Sequence, residues 1–171
     1  VINTTLSLIF LSKDLDRLQL HTYPVDLLYL LLLIQKLELY LELNPRGLED
    51  SDLTEYPSIS LLSLSSLHEL SEKVGADLDP RRFRGNIWLS GGKPFEEFNW
   101  VDQEIAVGNV RLKVVERIER CNATKANPLN GKKDIDTLTA LQANYGHKDF
   151  GVYCEVLTEG KISCGDQLIL S

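Results

Sequence analysis

The chain has 171 residues, a formal net charge of −7, 43% hydrophobic residues and 25% charged ones. That length can bury a substantial core in one domain, and the acidic balance excludes general nucleic-acid binding, which needs a dominant basic face. Three cysteines neither form an even disulfide framework nor supply the four thiolates of an ordinary iron–sulfur cluster, and they point to a reducing, cytoplasmic setting.

Taken in order, residues 6–11 (LSLIFL) predict a strand, Lys13-Asp14 a hairpin turn, and 17–23 (RLQLHTY) a second strand of period two. Pro24 and Asp26 open a helix over the apolar run Leu27 to Ile34. That run is far shorter than the roughly 20 residues a membrane span requires, so it predicts a buried helix and no membrane partner. No basic start followed by a cleavage site marks a signal peptide. Leu37, Leu39, Leu41 and Leu43 alternate with polar or amphipathic neighbours as in a strand. The turn-rich Asn44-Pro45-Arg46-Gly47 and the acids after it divide a lead-in over 1–50 from the main unit over 51–171.

After Pro57, SISLLSL predicts a strand running into a helix, with Ser66 and Glu69 spaced as a capping box and Gly75 as the stop. Asp79-Pro80 opens a turn, and Arg82 to Leu89 resumes as a strand. Gly91-Gly92-Lys93-Pro94 is a turn; it lacks the Gly-Lys-Ser/Thr of a phosphate-binding loop. Phe95, Phe98 and Trp100 pack beneath it. Val101–Val107 and Val110–Ile118 form a hairpin about Gly108-Asn109. Asp136 to Gly146 predicts a short helix with Leu138, Leu141 and Tyr145 on one face. Gly151–Val156 and Lys161–Leu170 are strands, the second interrupted at Gly165-Asp166. Many short strands with few helices predict a mainly β fold closed, or nearly closed, into a barrel.

Charge is unevenly distributed. Residues 111–133 carry seven Lys/Arg against two Glu, and 81–93 carry four basic groups and no acid. Two basic islands on an acidic chain suggest a small anionic ligand. One island surrounds Cys121, where a basic strand meets the turn dipeptides Asn127-Pro128 and Asn130-Gly131. Local sequence leaves Cys121 open to two readings, a buried small hydrophobe or a reactive thiolate favoured by Arg120, Arg117 and Lys125. Arg84 reads either as an anion-binding group or as half of an inter-strand ion pair. Arg81 and Arg82 read as solvated surface charges, His147 as an exposed loop histidine, and Cys154 and Cys164 as structural.

The ordered set RFRGNI (82–87), PFEEFNW (94–100), IAVGNVRLKVVERIERCNAT (105–124), NPLNG (127–131), FGVY and a later CGD resembles the MOSC domain, the β-barrel module named after the C-terminal part of molybdenum cofactor sulfurases. The resemblance covers about residues 55–170. It implies a MOSC-type barrel holding a molybdenum cofactor, a pyranopterin, with Cys121 as the molybdenum ligand and catalytic centre. Arg84 and Asn86 match the family's Arg-x-Asn pair near the pterin. Arg120 and Thr124 flank the ligand, and Asn127 stands where many members have Asp, which puts any acid–base role there in doubt. The resemblance further implies an oxidoreductase reducing N-hydroxylated small molecules, supplied by a separate electron-donor protein. The alternative it leaves open is a non-redox carrier that uses Cys121 as a persulfide or a cofactor anchor.

Overall fold

The computed structural model describes residues 6–11, 41–43 and 58–170. The predicted elements at 13–40 and the lead-in boundary at 44–52 lie outside the described residues. Nine strands are described: β1 (Leu6–Leu11), β2 (Leu41–Leu43), β3 (Ser58–Ser63), β4 (Ile87–Ser90), β5 (Glu104–Val107), β6 (Val110–Glu119), β7 (Asp149–Val156), β8 (Gly160–Ile162) and β9 (Gln167–Leu170). Two helices accompany them, α1 (Leu64–Val74) and α2 (Thr137–Tyr145). Seven strands close a barrel in the order β1-β4-β3-β7-β6-β5-β9, and β1 pairs antiparallel with both β4 and β9. Closure removes the exposed edges that short strands would otherwise present.

One pair breaks the antiparallel rule. β3 and β4 run parallel, Leu61 beside Ile87 and Ser63 beside Leu89, so the chain must cross over between them, and α1 makes that crossing. β3 is buried along its whole length. Ile59 and Leu61 face the barrel interior, while Leu62 belongs to a second apolar cluster under the helices. Its polar residues are satisfied locally. The Ser60 hydroxyl and N–H donate to Asn86 Oδ1 at 2.8 and 2.9 Å, and Ser63 caps α1 by accepting from Ser66 N–H.

The cap is therefore Ser63, three residues before the predicted Ser66. Ser66 instead donates its hydroxyl to the buried Glu97 carboxyl at 3.0 Å and accepts Phe95 N–H at 2.8 Å. Gly75 ends the helix as predicted, at φ 69°.

The predicted strand from Arg82 begins only at Ile87. Pro80–Phe83 is a 3-10 turn capped by the Asp79 carboxylate, because Pro fixes φ at its first position and Asp79 accepts Arg81 N–H. Likewise Val101–Gln103 is a turn, with Asp102 at φ 67°, and β5 starts at Glu104. The 161–170 run splits as predicted near Gly165. β8 leaves the barrel to pair with β2, and β9 pairs with β5.

β6 shows how alternation and irregularity together aim the site. Val110, Leu112 and Val114 point inward by period two. A register shift between Val114 and Glu116, and another between Arg117 and Glu119, then exposes Glu116 and buries Ile118 in the outer cluster. Such bulges re-aim the side chains that follow them, and here Arg120 and Cys121 follow.

Candidate functional site

The site lies outside the barrel wall, where β6 ends. Cys121 precedes a 3-10 turn over Asn122–Lys125 and is exposed. Its carbonyl accepts both Thr124 N–H (3.2 Å) and Thr124 Oγ1–H (3.1 Å). Thr124 is buried, and its hydroxyl also meets Thr137 Oγ1 at 2.7 Å, tying the turn to the start of α2. Thr124 thus shapes the backbone beneath Cys121 instead of facing an open pocket.

Arg120 is committed in the same way. Its Nε donates to Phe150 O at 2.7 Å and its Nη1 to Phe83 O at 2.9 Å, while its own N–H bonds Lys148 O at 3.1 Å. One guanidinium therefore clamps β7 and the 80–83 turn to the end of β6. Burial pulls its pKa down to about 10, against the opposing charges of Tyr153 and Cys121, which raise it. A charge remains, placed next to the thiol in sequence and coupled to it. Arg117 and Lys125 do not join it. Arg117 lies over the Phe98 ring at 4.5 Å, and Lys125 Nζ pairs with Asp136 Oδ1 at 2.8 Å.

The arginines of the 81–84 island separate sharply. Arg82 is buried, contrary to the surface role its neighbours in sequence suggest. It reaches Asp134 Oδ1 at 2.8 Å and Lys125 O at 3.2 Å. The Arg82–Asp134 hydrogen bond is the first cause of the fall in the Asp134 pKa, to about 2. Arg81 is half-buried and pairs with Asp79. Arg84 alone is exposed; its N–H donates to Arg81 O at 3.3 Å, and its side chain has no ion-pair or hydrogen-bond partner among the described residues. It sits at φ 50°, a left-handed conformation that costs a non-glycine residue about 1 kcal/mol. Because Arg120 holds the Phe83 carbonyl, the Phe83–Arg84 peptide is tied to the end of β6.

Asn86 spends its carbonyl oxygen on Ser60, and its N–H bonds Ser60 O and Oγ. It fastens β4 to β3, leaving only its amide NH₂ for another partner. Asn127 builds a hairpin. Its Oδ1 accepts Leu129 N–H (2.9 Å), and its Nδ2 donates to Asp134 Oδ2 (2.7 Å). Asn127 therefore meets an acid, the same Asp134 that neutralises Arg82. The structure thus packs Arg120, Cys121 and Thr124 together at the end of β6, while Asn86 fastens the loop that carries Arg84 to β3 and Asn127 builds the hairpin that follows Lys125.

Lys148 is a participant that sequence patterns did not single out. It stands in the α2–β7 connection, and no motif marks it. Phe150 was visible only within FGVY; its role comes from its carbonyl and from its ring, stacked on Phe83 at 4.2 Å.

Among the described residues no three His, Cys, Asp or Glu side chains form a metal-binding group. A metal bonded to Cys121 would take its remaining donors from a cofactor. One exposed soft sulfur donor suits a metal whose other ligands are brought by a cofactor. Among the described residues no helix is long and apolar enough to cross a membrane.

A strongly curved β-barrel with a crossover helix, carrying a lone exposed thiol at a strand end, defines the class of this chain. The family model for the MOSC domain matches residues 53–169, and the chain belongs to that family. It is similar to a molybdenum cofactor sulfurase of Drosophila ananassae (28% identity over 115 residues), covering 64% of this chain and 15% of that protein. It is similar also to mitochondrial amidoxime-reducing component 1 of Xenopus laevis (34% over 132 residues), covering 68% of this chain and 38% of that one. The chain thus spans well under half the length of these relatives. Among solved structures, YiiM from Escherichia coli matches with a TM-score of 0.53 at 18% identity, covering 78% of this chain and 63% of that chain, which shows the shared fold.

Proposed function

We propose that this chain binds a molybdenum–pyranopterin cofactor through the Cys121 thiolate and reduces N-hydroxylated small molecules, drawing electrons from a separate donor protein. The observation that carries this reading is the placement of Cys121, an exposed thiol on a backbone fixed by Thr124 and Arg120 at the end of β6. The named relatives, a cofactor sulfurase and an amidoxime-reducing component, support the same cofactor class. When bound, the cofactor supplies the two-electron redox chemistry, and the protein supplies binding, orientation and electrostatics.

The chain's own residues divide that work. Cys121 offers a soft donor that must be deprotonated to bind. The half-buried Arg120 charge stabilises an anion at that point, and in its partly dry surroundings it is screened less than a fully exposed charge. Arg84, whose exposed side chain is unpaired, would offer its planar fork to a phosphate or another anionic group of the cofactor. Thr124 and the Asn127 hairpin hold the loop that would wall the cofactor, and neither is a candidate acid or base.

The test is molybdenum content by elemental analysis on protein purified gently from molybdate-supplied cells, with Cys121→Ser alongside. Near-stoichiometric metal in the parent and none in the variant is the expected result. Metal retained without Cys121 would mean that another group binds it. Metal absent from both, even after addition of free cofactor, would favour a sulfur carrier with Cys121 as a persulfide. A hydroxylamine substrate with a supplied reductant then separates enzyme from carrier.

A further inference from the structure

We propose that the groove beside Cys121, between the Asn122–Lys125 turn and helix α2, is a subsite for the anionic end of a small apolar molecule, an aryl or alkyl carboxylate in its simplest form. This deepens the reading above, since it takes Cys121 as the reacting point and the groove as the place where the far end of a substrate is held. The groove encloses about 400 Å³ and is lined in part by Asn122, Lys125, Leu138, Gln142, Ala143 and Lys148. Two lysines line it and no acid does. Leu138 and Ala143 give it an apolar wall, and Asn122 and Gln142 add amide donors.

The two cations differ in availability. Lys125 is neutralised in part by Asp136 at 2.8 Å. The same Asp136 oxygen caps α2, accepting Thr139 N–H at 3.0 Å. Lys148 has no acidic partner among the described residues, and its carbonyl is pinned by Arg120 N–H at 3.1 Å. Its backbone is thus registered against the strand end that carries Cys121. The chain as a whole is acidic and repels anions at long range, so a local basic groove with an apolar wall selects for a ligand that has both features. An anion without an apolar body gains little there, and neither does a neutral aromatic.

The test needs no cofactor. Benzoate, benzamide and inorganic phosphate are titrated into the purified full chain and followed by backbone amide NMR shifts, with Lys148→Gln as the variant. Expected is saturable binding of benzoate that moves the amides of Asn122, Ala143 and Lys148. Benzamide and phosphate should each bind at least about fivefold more weakly, and Lys148→Gln should weaken benzoate by a similar factor with the spectrum otherwise unchanged. Equal binding of benzamide, phosphate as good as benzoate, shifts confined to other surfaces, or an unaffected Lys148→Gln would each overturn the proposal. Molybdenum content does not enter this measurement, so a failure of the subsite and a failure of Cys121 as ligand are read separately.

Discussion

Inside the barrel, Cys154 is fully buried, paired across the sheet with Ile59 and Val114, and burial alone pushes its thiol far above the usual range. In the loop layer outside, Cys121 is exposed at the end of β6, next in sequence to the half-buried Arg120. The two cysteines share a residue type and differ in everything that decides chemistry: solvent, neighbouring charge and backbone support. The arginines teach the same lesson within one short segment. Arg82 is buried against Asp134, whereas Arg84, two residues on, is exposed and unpaired. In this protein, the same residue type meets opposite surroundings in the interior strands and in the loops packed on them.

That contrast can be broken at several points. The largest effect is expected at the clamp: Arg120→Ala strands the Phe83 and Phe150 carbonyls and should cost about 3 kcal/mol in urea unfolding. A loss below about 1 kcal/mol would show that the clamp does not hold the layers together. Next is pH. Burial raises the Glu97 pKa from 4.5 to about 7 despite the opposing Ser66 hydrogen bond. A raised carboxyl pKa means that folding stability is greatest while the group stays protonated and falls as pH rises from the unfolded value toward 7. The decline should total on the order of 3 kcal/mol. Glu97→Gln should flatten the profile, and an unchanged slope between pH 5 and 8 would assign the dependence elsewhere.

A smaller effect sharpens the cysteine comparison. Cys154→Ser places a hydroxyl in the apolar interior and should cost about 1–3 kcal/mol while leaving bound molybdenum unchanged relative to protein. Loss of metal in that variant would link the interior to the site directly. Smallest in stability is Arg84→Gly, which relieves the left-handed residue and should leave unfolding within about 1 kcal/mol of the parent or slightly above it. Cofactor retention should fall all the same. Unaltered retention would remove Arg84 from the binding role.

Much of the barrel is legible because its rules are local. Period-two alternation in β6, the Gly108-Asn109 hairpin and the stop at Gly75 are written in adjacent residues. Sequence points to Ser66 as the cap because Ser63, Ser65 and Ser66 stand close together, and only packing decides that Ser63 faces the helix start and Ser66 faces Glu97. Arg82 looked like a surface charge because its partner, Asp134, lies far along the chain and meets it only through the packing of two loops.

The site divides along the same line. Sequence alone determined that Cys121 ends a basic strand before a turn-rich loop, that Arg84 stands in a second basic island, and that the ordered motifs resemble the MOSC domain. Only the tertiary structure decided that Arg120 and Asn86 are spent on backbone and serine partners, that Arg84 is left unpaired, and that Lys148 borders the groove. The reason is physical. A residue type fixes what a side chain can donate or accept, but the groups available to it are brought within hydrogen-bonding distance by strands and loops remote in sequence, and that juxtaposition exists only once the barrel has closed.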